Sequence, residues 1–391
     1  MITTKKQALR NIHRKKGPDL STWSEDLLKD TAFLCEMMKE GEQGREILEN
    51  IPREYLTQDI CFAAVEADGF ALWYVPEDAR TPELCLAAVK REPCALQSVP
   101  DDKKTPEICR IAVEADGYAL QYVPKDVKSP ELCLIAVKQY GRSMVYVPNE
   151  YRTQELCLAA VSQCGDMLLQ VPADMMTLEV CLAAVRNGIS LCYVPMSERT
   201  YEVCLAAVKK DGSSLFYVPD NKKSPEVCEA AVENNALALG DVPDELKTSE
   251  MCMSVVTRDG SLIKYVPDSL RTGEICLAAV QNRWQAAQYV PQALRTTEIY
   301  MAMVTQDGNS LRLIPKDLRT YEICKAAIHT NLEAIQYIPE EMKTPEICLK
   351  VLESDFADVL ISFIPKQLLI QGLKKLINNT AEQGEKVSKA Q

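Results

Sequence analysis

Along most of the chain, apolar and polar positions fall in blocks that return every 24 residues. The stretch from Pro100 to Val123, PDDKKTPEICRIAVEADGYALQYV, shows one full beat. A polar segment leads into an apolar block at Ile108, Cys109, Ile111, Ala112 and Val113, followed by Gly117 and a shorter apolar block that ends before a proline. That Ile/Val-Pro step has its proline at 52, 76, 100, 124, 148, 172, 195, 219, 243, 267, 291, 315, 339 and 365. Eleven of the 13 intervals are 24 residues, one is 23 and one is 26. Internal similarity at such a period is the mark of a solenoid, in which each module is too small to hide its own apolar face and relies on its neighbours.

Each beat predicts a helix with three start signals. Ser or Thr precedes the apolar block in all 13 repeats, from Thr57 and Thr81 to Thr344, and these side chains cap helix N-termini. Pro follows directly at Pro82, Pro106, Pro130, Pro225 and Pro345, where its missing N–H costs nothing. An acid comes next in every repeat, such as Glu107, Glu131 and Glu274, with Asp59 in the first, and it complements the positive end of the helix dipole. The block is apolar nearly all round, which predicts a helix sandwiched between others. Gly69, Gly117, Gly141, Gly165, Gly212, Gly260 and Gly308 then stop it, and the expected role of that Gly is a left-handed C-cap. The six residues after it suit a short second helix or 3₁₀ turn ended by the proline. A strand at Tyr-Val-Pro is the competing reading. The expected fold is therefore all-α: a right-handed superhelix of 13–14 repeats, with one layer of long helices and one of short.

The ends depart from this beat. Residues 1–25 form a basic leader, expected to be partly disordered, and 26–51 read as a degenerate capping repeat with Cys35 in the cysteine position. The tandem repeats occupy 52–365. Residues 366–378 predict a capping helix with Leu368, Leu369, Leu373, Leu376 and Ile377 on its apolar side, and 379–391 predict a disordered polar tail.

Sixteen cysteines would suggest disulfides or zinc, but twelve of them recur on the same beat, from Cys61 and Cys85 to Cys348, with Tyr300 standing in once. Stacked helices would hold corresponding cysteines beyond disulfide reach, so the ladder reads as small buried hydrophobes in a reducing compartment. Cys94, Cys164 and Cys192 lie off the ladder, and no CxxC or Cys/His cluster is present. His13 and His329 are the only histidines, and no nucleophile, phosphate-loop or zinc-protease pattern stands clear of the consensus. The expectation is a protein without catalytic residues, cofactor or metal.

Charge adds two readings. The chain carries a net −12, yet residues 1–18 are +6 without an acid, which leaves −18 on the body. So acidic a body disfavours nucleic acid. The leader, with Lys5 through Lys16, is expected to be a solvated tail, the alternative being contact with an anionic membrane. No run of eighteen apolar residues predicts a membrane span. Lys or Arg precedes the capping Ser/Thr in 11 of 13 repeats, and with the acid three residues later it predicts exposed ion pairs of about 0–1 kcal/mol each, a solvated structural ladder.

Tyr74, Tyr122, Tyr146, Tyr193, Tyr217, Tyr265, Tyr289 and Tyr337 form a second ladder, expected to pack between turns. The residue before it varies freely: Trp73, Gln97, Gln121, Val145, Leu169, Cys192, Phe216, Gly240, Lys264, Gln288, Arg312 and Gln336. A position released from the consensus is where a surface gains its individuality. Phe70, Trp73, Tyr118, Phe216 and Trp284 are the large residues that break the pattern and are the candidate partner contacts, because aromatics are enriched at interface hot spots.

The unit T-P-E-[IL]-C-L-A-A-V-x-x-D-G-x-A-L-x-Y-V-P, nearly intact at Thr81–Val89 and Thr105–Pro124, resembles a repeat family of unassigned function. That family is common in Legionella and other bacteria living inside amoebae, often in proteins delivered to the host by a type IV secretion system. The resemblance spans about residues 52–365. It implies a helical array and an effector role in host cytosol after the bacterial cytoplasm, and it implies no catalytic residues. Departures cluster at Ala236, Asp241, Trp284 and Tyr300, where Gly, Tyr, Gly and Cys are expected. The expected function is a monomeric, non-catalytic protein-interaction scaffold. The alternatives are an enzyme or regulatory module with a site in the superhelical groove, or an adaptor recruited to membranes by its leader.

Overall fold

The computed structural model describes residues 4–12, 20–38 and 47–375. Among them there is no β-strand, and helices follow one another in tandem from Lys5 onward. The chain divides into two compact halves, Met1–Ala206 and Ala207–Gln391. Within each half the contacts run between consecutive repeats, long helix on long helix and short helix on short helix. This is an all-α repeat solenoid.

A typical repeat holds three elements. The long helix has ten residues, as in Pro106–Ala115; a six-residue 3₁₀ helix follows, Gly117–Tyr122; and a three-residue 3₁₀ turn comes after the proline, as in Asp101–Lys103. The strand reading of Tyr-Val-Pro gives way to this 3₁₀ helix. In twelve of thirteen long helices the Ser or Thr hydroxyl accepts from the backbone N–H three residues on; Thr296 alone does not. Third, fourth, seventh and eighth positions are buried, as at Ile108, Cys109, Ala112 and Val113. Each such Ile, Val or Leu contributes roughly 1.5–3 kcal/mol by leaving water.

The Gly that follows the long helix is not a left-handed C-cap. Positive φ occurs among the described residues only at Gly188, at 98°, outside that series. The long helix ends instead on an extended residue, Asp116 at φ −145°, whose carboxylate accepts from Tyr118 N–H at 2.9 Å and so starts the 3₁₀ helix. Asp68, Asp211, Asn235, Asp259, Asp307 and Asn331 do the same. The Gly is required by crowding. A Cβ on Gly69, Gly117, Gly141, Gly165, Gly212, Gly260 or Gly308 would stand 2.1–2.9 Å from an Ala carbonyl oxygen in the next repeat.

The basic ladder also differs from its expected form. Side chains of Lys104, Lys223, Lys247, Arg271 and Lys343 are only 5–17% exposed, so they are not solvated pairs. Lys247, Arg271 and Lys343 among them reach forward to the carbonyl that closes the next repeat's short helix. Lys128 Nζ donates to Tyr146 O at 2.8 Å, Arg152 Nη1 to Gln170 O at 2.7 Å, and Lys247 Nζ to Tyr265 O at 2.8 Å. A cation at that carbonyl end meets the negative pole of the helix dipole. Burial also pushes the Lys128 ammonium below the ordinary lysine range. The acid that pairs with these cations lies three residues before them, as in Asp244–Lys247 at 2.8 Å, rather than three after. The later acids face other bases: Glu155 meets Lys138 at 2.8 Å and Glu346 meets Lys325 at 3.0 Å.

A third link runs backward. Gln163 Nε2 donates to Val137 O and Lys138 O at 3.0 and 2.8 Å while its Oε1 accepts from Gly141 N–H at 2.9 Å. Asn234, Asn282 and Gln306 repeat this bridge, tying the end of each preceding long helix to its neighbour.

At the N-terminal end the leader is helical over Lys5–Ile12. It is not simply a solvated tail, since Lys5 pairs with Asp30 at 2.7 Å and sits over the Phe33 ring. His13, Arg14, Lys15 and Lys16 lie outside the described residues. At the other end residues 366–375 are helical, with Gly372 buried against Leu352. Leu373 is 43% exposed there and does not share the packed side. Leu376, Ile377 and the tail 379–391 lie outside the described residues.

Candidate interaction surface and an opened repeat

In the typical short helix the first, third and fourth positions are buried, as at Gly69, Ala71 and Leu72, which leaves the second and fifth facing water. These two are three apart, and a 3₁₀ helix turns once in three residues, so they share one face. Phe70 and Trp73 occupy them on Gly69–Tyr74, 43% and 60% exposed. Of the twelve freely varying fifth positions, all but Gln121 and Cys192 are exposed. In the first half this line carries Trp73, Val145 and Leu169; in the second it begins with Phe216, which is 68% exposed.

The candidate aromatics have different settings. Phe70, Trp73 and Phe216 project into solvent, Phe216 with its ring edge-on to Tyr217 at 5.2 Å. Tyr118 is more engaged, edge-on to Tyr140 at 5.9 Å and to Tyr146 at 6.2 Å. Trp284 is half-buried and does not project; it lines a cleft. In the Tyr ladder, Tyr265 packs back on the preceding repeat, where a Cβ at Gly240 would come within 3.2–3.4 Å of its ring, whereas Tyr193 and Tyr217 are exposed instead of packing between turns.

None of the sixteen cysteines forms a disulfide, and all twelve on the ladder are buried. Burial pushes the Cys61, Cys109, Cys133, Cys181 and Cys324 thiols up to about 11. A buried thiol so far above neutrality is a poor nucleophile, and the ladder acts as packing. Among the described residues no group of three His, Cys, Asp or Glu is placed to hold a metal ion, and no helix is long and apolar enough to cross a membrane.

The repeat that follows Thr272 is opened. Trp284 stands where seven repeats have Gly, and the residue that would meet it in the next repeat is Met303 in place of Ala. Tyr300 replaces the ladder cysteine and Leu313 the ladder tyrosine. Together with Gln285, Ala287, Gln288 and Arg295 they line a cleft of about 440 Å³. Trp284 and Tyr300 were legible as departures; Arg295, Met303 and Leu313 were not singled out. A bulkier residue stands 19 places after three of the four filled Gly positions, Val255 after Ala236, Met303 after Trp284 and Val351 after Leu332, while Pro93 is followed by Ala112, and that pairing was there to be read.

A family model described as "Domain of unknown function (DUF4116)" matches residues 81–128, 129–176, 200–247, 248–295 and 297–343, together more than half of the chain. The chain belongs to this family. Four of the five DUF4116 segments begin at a capping residue, Thr81, Ser129, Thr200 or Thr248, and each spans two 24-residue repeats. The model passes over 177–199, the repeat whose long helix is cut to nine residues and whose chain turns at Gly188. No curated protein and no solved structure matched the chain.

Proposed function

We propose that this DUF4116 protein is a non-catalytic protein-interaction scaffold. The observation that carries the reading is the contrast on each short helix. The third and fourth positions are buried in stacking, as is the first wherever it is Gly, while the second and fifth are exposed in most repeats and change identity from repeat to repeat. Stacking fixes the backbone, so a partner meets a rigid line of side chains and loses little entropy in ordering them. Phe70 and Trp73 supply one aromatic anchor and Phe216 another.

Twelve buried, reduced ladder cysteines support a working environment that keeps thiols reduced. The effector reading rests on the resemblance of the repeat unit alone: a chain made in a bacterial cytoplasm, carried by type IV secretion and acting in a host cytosol. A reporter fusion of the whole chain, expressed in bacteria with and without a functional type IV system, tests it. Delivery into host cells that needs the system supports the reading, and equal signals from both strains contradict it.

The scaffold reading is tested by capture from host lysate with the full chain and with F70S/W73S and F216S variants. A partner that binds wild type saturably and is lost from a variant supports it. Turnover of a substrate by the purified chain overturns it.

A further inference from the structure

We infer that the cleft at Trp284 is a binding site for a small organic carboxylate with a flat apolar body. This goes beyond the scaffold reading and does not depend on it.

The argument starts from what Arg295 lacks. In four other repeats the arginine at this place uses Nη1 to hold the carbonyl 18 residues on: Arg80 to Ser98 O at 2.7 Å, Arg152 to Gln170 O at 2.7 Å, Arg271 to Tyr289 O at 3.3 Å, and Arg319 to Tyr337 O. Arg295 keeps only its Nε bond, to Val290 O at 3.0 Å. Its Nη1 and Nη2 have no partner among the described residues, and the carbonyl they would take belongs to Leu313, which lines the same cleft. The ladder position five residues on adjoins this arginine: Cys85 Sγ lies 3.9 Å from Arg80 O. In this repeat a phenol, Tyr300, stands there instead of a thiol.

Tyr300 supplies a second polar group that is free to take a ligand. It is only 5% exposed, it lines the cleft, and its hydroxyl has no hydrogen bond among the described residues. A guanidinium edge and a phenol O–H are both donors toward an anion, and a two-nitrogen guanidinium edge fits a carboxylate best. No acid lines the cleft to compete for them. Trp284, Ala287, Met303 and Leu313 make the remaining wall apolar, with an indole face and a thioether suited to a flat ring. Its volume of about 440 Å³ is that of a small-molecule site.

The test is calorimetric titration of the full chain with 2-naphthoate and with neutral 2-naphthamide, alongside melts that show each variant folded. The expected result is one naphthoate site per chain, with the amide bound about ten-fold or more weakly, the worth of a charge-assisted pair. Arg295→Gln brings naphthoate down to the level of the amide. Trp284→Gly with Met303→Ala restores the repeat consensus and abolishes both. Tyr300→Cys, a second return to consensus that keeps the arginine, weakens naphthoate. Equal binding of acid and amide, an unchanged ratio in Arg295→Gln, or no naphthoate binding up to its solubility limit overturns the inference.

Discussion

Gly260 lies so close beneath Ala279 of the next repeat that a Cβ added to it would stand 2.1 Å from the Ala279 carbonyl oxygen. Backbone is pressed against backbone here, so neither partner can move aside. Gly260→Ala is therefore expected to cost about 1–3 kcal/mol by overpacking, read as a lower midpoint in urea. Gly273, where nothing lies within 4 Å of the added Cβ, is the control. As the first residue of a helix it should accept Ala with no loss, or with a gain of roughly 0.4–1 kcal/mol. Equal effects at the two glycines would contradict the close-approach account.

The basic ladder predicts a difference between chemistry and charge. Lys247 is 6% exposed and satisfies the Tyr265 carbonyl at 2.8 Å. Lys247→Met leaves that carbonyl without a partner and should cost about 1–3 kcal/mol. Lys247→Arg, the residue used at Arg152 and Arg319, should restore most of it. A Lys247→Met variant as stable as wild type in a thermal melt would return the ladder to a solvated role.

The caps carry their own control. Thr272 accepts from Ile275 N–H at 3.3 Å, whereas the Thr296 hydroxyl makes no cap bond. Thr272→Ala should cost about 1 kcal/mol and Thr296→Ala distinctly less, measured by urea denaturation. The same loss at both would detach stability from the capping bond.

Cysteine titration predicts alkaline sensitivity. Five ladder thiols are held at about 11 against an ordinary value of 9.0, so the folded chain keeps protons that the unfolded chain releases. Their contribution is whole below pH 9 and is lost as pH rises from 9 toward 11. Helical signal should fall in that window. At pH 8 a thiol reagent should reach at most Cys35, Cys94, Cys164 and Cys192 before unfolding, because the other twelve are buried. Rapid modification of Cys133 or Cys324 in the folded chain would contradict this.

The period, helix starts and core were readable because each is written in the residue that performs it: a hydroxyl at Thr105, a proline at Pro106, apolar atoms at Cys109 and Val113. What escaped was what depends on the neighbouring repeat. Gly117 looks like a helix stop until Ala136 is seen above it, and Lys128 looks solvated until the Tyr146 carbonyl is seen within 2.8 Å. Residues 18 to 19 places apart meet only through stacking, which local pattern does not display. The cleft was half legible for the same reason. Trp284 and Tyr300 broke the consensus visibly, but Arg295 conforms to it, and its difference lies in a bond it does not make.

Everything rests on modules that stack and are held by the neighbours on either side. The most direct measurement is to excise one whole repeat, residues 129–152, and follow urea unfolding by circular dichroism. The new junction sets Lys128 before Thr153 and offers its ammonium the Gln170 carbonyl, the position equivalent to the one it held. The shortened chain should keep its helical signal per residue and a cooperative transition, while removal of twelve residues, 129–140, should destroy both. A chain that tolerates the half-repeat deletion as well as the whole one, or that collapses on loss of the whole one, would contradict the stacked-module account.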